Sequence, residues 1–278
     1  MTRFQRLLFV LALIVPAAAP AETLIYLGTY TGDQSKGIYR STLDEATGEL
    51  SDPVLAAELE NPSFLVVSPY QKYLFAVSEN GMFKGKEGGG VSSFAIGEDG
   101  GLTLINQVNS GGGAPCHIST DFEGKCLLVA NYMGGSTSSY QITVDGKIFS
   151  PAAEGFIQHE GQGAQLPRQA SPHAHSVNVD PSGKRAFVSD LGLDKILIYK
   201  LDTAAGTIAP NDLPFLKLPD ATGPRNFGID PSGKFLIAGN QGSGNVVVLK
   251  INQETGALDP TGHEIEVPSA VCIRFLKR

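Results

Sequence analysis

Tryptophan is missing from the 278 residues, cysteine and methionine are down to three each, and the 21 lysines and arginines are outnumbered by 28 aspartates and glutamates. A formal charge of −7 excludes a general nucleic-acid or anionic-membrane binder, because either needs a basic face to neutralise phosphates. Cys116, Cys126 and Cys272 form an odd set without CxxC spacing, which fits neither a disulfide framework nor a zinc site. Cys116 and Cys126 could pair if their strands meet; the simpler expectation is three apolar strand residues. Helix-period stretches are missing after the N-terminal segment. So are a Gly-X-Ser-X-Gly elbow, an HExxH pair and a dinucleotide motif, and the glycine-rich GMFKGKEGGG (81–90) lacks Walker spacing and a following helix. No cofactor and no resident metal is expected.

What is present in quantity is glycine (33) and proline (17), in a chain that is 42% hydrophobic. That combination describes a turn-rich fold with one substantial core. The N-terminus reads differently. MTRFQR is basic, LLFVLALIV is apolar, and PAAAPA places small residues at Ala19 and Ala21, so residues 1–21 read as a signal peptide cleaved before Glu22. The apolar run is shorter than the roughly 20 residues that span a bilayer. Removing it takes Arg3 and Arg6 and no acid, leaving a periplasmic or secreted product two charges more negative, with no stable membrane association. Residues 22–278 read as a single domain.

That domain is repetitive. SPYQKYLFAVSEN (68–80), TDFEGKCLLVANY (120–132), VDPSGKRAFVSDL (179–191) and IDPSGKFLIAGNQ (229–241) share a turn, a lysine, a strand and a polar exit. Lys72, Lys125, Lys184 and Lys234 set a common register with intervals of 53, 59 and 50 residues. A period near 50 with several short strands per unit points to propeller blades. Four strands are expected in the first complete unit, at 63–68, 73–78, 91–96 and 102–108. The chain also has complementary ends: LIYLGTY (24–30) matches a second strand with no first, and SAVCIRFL (269–276) matches a first strand with no second. Ring closure by the C-terminal strand explains both and removes an open edge, which a β-sandwich or open solenoid does not. Counting second strands gives five units.

In a radial array, one register position brings its residues to a common centre. Nine residues before the register lysine stand Ser63, Cys116, His175 and Arg225, with Ser269 in the closing strand. Pro62, Pro115 and Pro224 precede three of them, whereas the remaining unit has Pro172 and reads as carrying an inserted His173-Ala174. Extended backbone over 173–179 would turn His173, His175, Val177 and Val179 to one side. Two imidazoles there could supply a general base and an anion partner, could bind a divalent ion, or could be turn residues. Arg225 could clamp an anion or stabilise an oxyanion, or could cap carbonyls; Arg168 is a weaker candidate of the same kind. Seven residues beyond the register lysine stand Glu79, Tyr132, Leu191 and Gln241, where Glu79 could orient an imidazole or bind hydroxyls. Asn131, Asp190 and Asn240, one position earlier, are expected to fix exit turns. His117 could border the pocket but reads better as a packed inter-blade residue, and His159 lies beside a glycine-rich segment expected at the rim.

LIYLGTYT, ENPSFLVVSP, PHAHSVNVDPSGK, GPRNFGIDPSGKFLIAGNQ and VPSAVCIRF resemble the lactonase family of seven-bladed β-propellers, which includes bacterial propeller-type 6-phosphogluconolactonases and fungal carboxymuconate-cyclising enzymes. The resemblance implies an all-β propeller that hydrolyses a small sugar lactone to the open acid in a central cleft without a nucleotide cofactor. It also implies a cleft built from a histidine of the PHAHS segment, an arginine of a GPR turn, a glutamate after the next strand, and a later arginine. His175, with His173 beside it, matches the first, and Arg225 matches one of the two arginines. Gln241 stands sixteen residues beyond Arg225, where the glutamate would be. Five units against seven imply that two blades are absent near Pro224-Arg225. The resulting expectation is a monomeric, exported lactonase with His173, His175 and Arg225 as its catalytic groups and Glu79, His117, Arg168 and Gln241 as substrate-binding groups. The alternative is a propeller that binds a ligand or a protein without turnover.

Overall fold

The computed structural model describes residues 22–44, 47–149, 153–217, 224–240, 243–266 and Ile273. They form five antiparallel sheets in chain order. The first has three strands, β1 (Glu22–Leu27), β2 (Gly37–Asp44) and β3 (Val54–Glu58). The second runs β4 (Leu65–Val67), β5 (Tyr73–Ser78), β8 (Gly90–Ile96) and β9 (Leu102–Asn109). Its 81–90 loop is a ribbon of β6 (Met82–Phe83) and β7 (Lys86–Glu87). The third comprises β10 (Pro115–Thr120), β11 (Cys126–Asn131), β12 (Ser136–Gln141) and β13 (Phe156–Gln158). The fourth comprises β14 (Ala174–Val179), β15 (Arg185–Asp190), β16 (Lys195–Asp202) and β17 (Thr207–Lys217). The fifth comprises β18 (Pro224–Ile229), β19 (Phe235–Asn240), β20 (Asn245–Ile251) and β21 (Leu258–Glu266). This is the all-β propeller architecture expected from the repeats. Four of the second strands fall at the expected places, and the first spans Glu22–Leu27 against the expected 24–30.

The repeated turn text has a local cause. Ser68 Oγ accepts the Tyr73 N–H, and Asp121, Asp180 and Asp230 accept the N–H of Cys126, Arg185 and Phe235 through Oδ1. Each short side chain therefore closes the hairpin that leads into the second strand. Gln71, Gly124, Gly183 and Gly233 take the left-handed conformation each of these turns requires.

Second strands read as unbroken apolar runs because both of their faces are covered. Phe75 and Val77 pack toward the third sheet with Ile118, Leu127 and Val129, while Leu74 and Ala76 pack toward the first with Ile38 and Phe94. Cys126, Leu128 and Ala130 meet Val177, Ala186 and Val188 of the fourth sheet, and Phe187 turns the other way onto Phe227 and Leu236 of the fifth. The two-residue pleat thus feeds two inter-sheet cores from one strand, each large apolar side chain contributing about 1.5–3 kcal/mol. Cys126 is a packing residue of this kind; burial pushes its thiol up to about 12. Cys116 and Cys126 are both unpaired with each other as free thiols.

The expected signal peptide, and the closing strand apart from Ile273, lie outside the described residues. The Ile273 N–H donates to Asn226 Oδ1 of the fifth sheet (3.2 Å).

Candidate functional site

Three innermost strands share an irregularity that aims a side chain. Register shifts occur between Pro115 and His117, between Ala174 and Ser176, and between Pro224 and Asn226, leaving Cys116, His175 and Arg225 as the additional residue each time. A bulge of this type bends the strand and redirects one residue out of the ladder. The same alignment places Ala174 at the position of Pro115 and Pro224, so the expected His173-Ala174 insertion is not an insertion. The strict alternation expected over 173–179 is broken for the same reason.

The redirected residues enter a cavity of ≈ 410 Å³ lined by Tyr30, Ser63, Phe64, Glu79, Cys116, Tyr132, Arg168, His175 and Arg225. All five sheets or their exit loops contribute. A larger groove of ≈ 750 Å³, lined among others by Ser78, Asn80, Phe83 and Gln107, draws on the first two sheets alone. The smaller cavity therefore occupies the convergence point of the array.

Within it, Arg225 Nε donates to His175 Nε2 at 2.9 Å. An imidazole nitrogen that accepts must be unprotonated, so the His175 proton resides on Nδ1. Burial first, and the Arg225 charge second, lower the His175 pKa to about 4. Neutral His175 thus orients the guanidinium through one N–H, and a planar fork held in this way suits recognition of an anion. Cys116 Sγ donates to the carbonyls of Ala174 (3.6 Å) and His175 (3.5 Å), tying the His175 backbone to the neighbouring sheet. Burial, followed by the nearby Glu79 charge, pushes this thiol above the ordinary range, which removes it as a thiolate nucleophile.

On the opposite side, Glu79 Oε2 accepts from Tyr30 Oη at 2.9 Å and from Ser63 Oγ. Burial, then the bond to Glu79, raises the Tyr30 pKa, so the phenol donates as a neutral group. Arg168 reaches the cavity from an exposed turn. That turn is held by buried Gln169, whose amide donates to Leu191 O (2.8 Å) and Asp194 Oδ1 (2.6 Å) and accepts from Gln165 N–H (2.7 Å).

The remaining expected residues are placed elsewhere. His173 stacks on Tyr132 (ring centroids 4.6 Å apart), sets Nδ1 3.0 Å from the Tyr132 carbonyl, and gives its backbone N–H to Asp190 Oδ1 (2.8 Å). His175 alone of the two imidazoles lines the cavity. His117 lies in an adjoining channel of ≈ 310 Å³, packs on Phe64 at 4.3 Å, and accepts the Val177 N–H at 3.3 Å. Its contacts lie between blades, and the lining of the cavity that holds His175 does not include it. His159, expected at the rim, is buried between Thr137 Oγ1 (3.0 Å) and Asp190 Oδ2 (2.6 Å). Asp190 also accepts the Leu193 N–H, as its expected turn role requires. Gln241 lies outside the described residues.

Tyr30 escaped the register argument because its unit has no register lysine. Aligning LGTYTG (27–32) with VANYMG (129–134) puts Tyr30 at the exit position of Tyr132 and Glu79, which is the signal that finds it. No group of three or more metal-ligating side chains occurs among the described residues.

Fold and site together define a β-propeller with a small, charged cavity on its axis, suited to a polar small molecule. The chain belongs to the lactonase, seven-bladed β-propeller family, which it matches over residues 24–227 and again over 218–275. A 6-phosphogluconolactonase of Bacillus subtilis is 36% identical over 177 residues, 63% of this chain and 48% of that protein, so the chain spans about half the length of that relative. Among solved structures, the periplasmic gluconolactonase of Pseudomonas aeruginosa superposes with a TM-score of 0.80 at 31% identity, covering 90% of this chain and 69% of its own. A Bacteroides fragilis protein gives 0.81 at 31% identity over 91% and 69%. The two family matches overlap at 218–227, the region of Pro224-Arg225.

Proposed function

We propose that the chain is a hydrolase of small sugar lactones, acting in the cavity that holds His175 and Arg225. The observation that carries this reading is the Arg225–His175 contact: a guanidinium oriented by a neutral imidazole in the lining of the cavity where the five sheets converge. When water adds to a lactone carbonyl, the oxygen gains negative charge, and a donor already oriented toward it stabilises that charge without reorganisation. His175 fits the role of positioning Arg225 better than that of proton acceptor, because its Nε2 is occupied and its pKa is low. Arg168 at the mouth suits an acidic group elsewhere on the substrate. The names of the relatives, a 6-phosphogluconolactonase and a periplasmic gluconolactonase, support both the lactone class and export.

Purified protein should release acid from a δ- or γ-aldonolactone faster than buffer in a pH-stat, and R225A should remove the excess. Equal rates for both proteins would exclude hydrolysis at this site. Expressed from Met1 in a bacterium, the protein should be recovered from the periplasm beginning at Glu22; soluble cytoplasmic protein that retains Met1 would exclude export. The span of about half the relative's length favours one second reading, a propeller that binds lactones without turnover. Calorimetric binding with no hydrolysis would select it.

A further inference from the structure

We infer that Glu79 is the general base of the cavity, with Ser63 and Tyr30 as the hydroxyls that hold it. This rests on the lactonase reading and replaces the family-derived glutamate, whose position carries Gln241, with a carboxylate from the second sheet. Glu79 is the one carboxylate among the described residues of the cavity. Both hydroxyls bind the same oxygen, Oε2, and Oε1 has no hydrogen-bond partner among the described residues. A carboxylate held through one oxygen keeps the other for a proton. His175 cannot easily serve instead, since Arg225 occupies its accepting nitrogen. The Cys116 thiol lies within the electrostatic reach of both Glu79 and Arg225, so base and oxyanion partner flank one space.

The step balances. Glu79 takes one proton from water as the water oxygen bonds to the lactone carbonyl carbon, and the displaced π pair forms an oxyanion beside Arg225. Collapse of that oxyanion breaks the bond between the carbonyl carbon and the ring oxygen. The ring oxygen takes the proton back from Glu79 and leaves as a hydroxyl on the open acid. No oxidant, metal or cofactor is consumed. The titratable groups around Glu79 are Tyr30, Cys116, Tyr132, Arg168, His175 and Arg225.

The test compares wild type, E79Q and E79D on an aldonolactone over a pH series, with circular dichroism and thermal melting to verify folding. Glu79→Gln should lower kcat by about 10²–10⁴-fold with KM within about threefold, and should abolish the acidic limb of the pH profile. Glu79→Asp should recover part of kcat and restore that limb, which a purely structural role would not require. Wild-type hydrolysis with E79Q within threefold of it overturns the assignment and leaves the lactonase reading standing. A wild-type protein that hydrolyses no lactone overturns both. Should E79Q fail to fold, a wild-type profile without an acidic limb overturns the assignment, and a limb that E79D shifts supports it.

Discussion

Arg225 and His175 lie fifty positions apart in sequence, and each is the additional residue of a bulge in its own innermost strand; the bulges bring Nε and Nε2 to 2.9 Å. The contact joins adjacent sheets and, after burial, is the second cause that keeps the imidazole neutral.

The first prediction concerns that state. In nitrogen-detected NMR, His175 should remain neutral, protonated on Nδ1, down to a pKa of about 4. Arg225→Met removes the second cause of the shift and leaves burial, the first, so the pKa should rise yet stay below the ordinary 6.5. The sign for stability follows. The unfolded imidazole takes its proton near 6.5 and the folded one near 4, so this contribution is complete above 6.5 and is lost as pH falls toward 4. His175→Gln should flatten the pH dependence of the urea midpoint in that window.

Arg225→Lys should not rescue the site. The ammonium keeps the charge, but it lacks the planar fork that bonds His175 through one N–H and presents others elsewhere. Loss of an oriented oxyanion donor corresponds to about 10²–10³ in kcat. Steady-state kinetics on an aldonolactone should place R225K near R225A.

Asp190 is a stability residue. Its side chain and that of His159 are fully buried, and it accepts from the His159 imidazole and from the N–H groups of His173 and Leu193. Asp190→Ala leaves the His159 imidazole and the His173 N–H without this acceptor, while the Leu193 N–H keeps the residue 190 carbonyl, and should cost about 3–5 kcal/mol in chemical denaturation. Thr137→Val removes one bond at the far end of the same chain and should cost about 1 kcal/mol.

Two glycines with similar φ should respond differently to alanine. At Gly48 (φ +76°) a Cβ would meet nothing within 4 Å among the described residues, so the cost is the left-handed conformation itself, about 1–2 kcal/mol. At Gly206 (φ +68°) a Cβ would fall 2.5 Å from Gln141 N in the adjacent sheet. Overpacking adds about 1–3 kcal/mol there, and urea denaturation of G206A and G48A should resolve the difference.

The repeat was legible because its causes are local. The turn acceptors Ser68, Asp121, Asp180 and Asp230 and the two-faced second strands each leave a mark within a dozen residues, so register and strand positions could be read directly. Register also carried the convergence of Ser63, Cys116, His175 and Arg225. It did not reveal the bulges, which arise from the fit between neighbouring strands, and without them His173 and His175 read as equivalent. Nor did it reveal that His159 is bound to Asp190 across 31 positions, since such a partnership depends on how two sheets pack. Gln169 acts through contacts that no short-range pattern marks, whereas Tyr30 is found by aligning the strand exits of the first and third sheets.

A bulged residue has no cross-strand partner of its own, so its side chain answers to the cavity and not to the ladder. Thiol, imidazole and guanidinium occupy that slot in three successive sheets while the pairing on either side of each stays the same. The slot therefore behaves as a socket: chemistry can be exchanged there without renegotiating the fold, and one scaffold can change the ligand it recognises by single substitutions at sites about fifty residues apart.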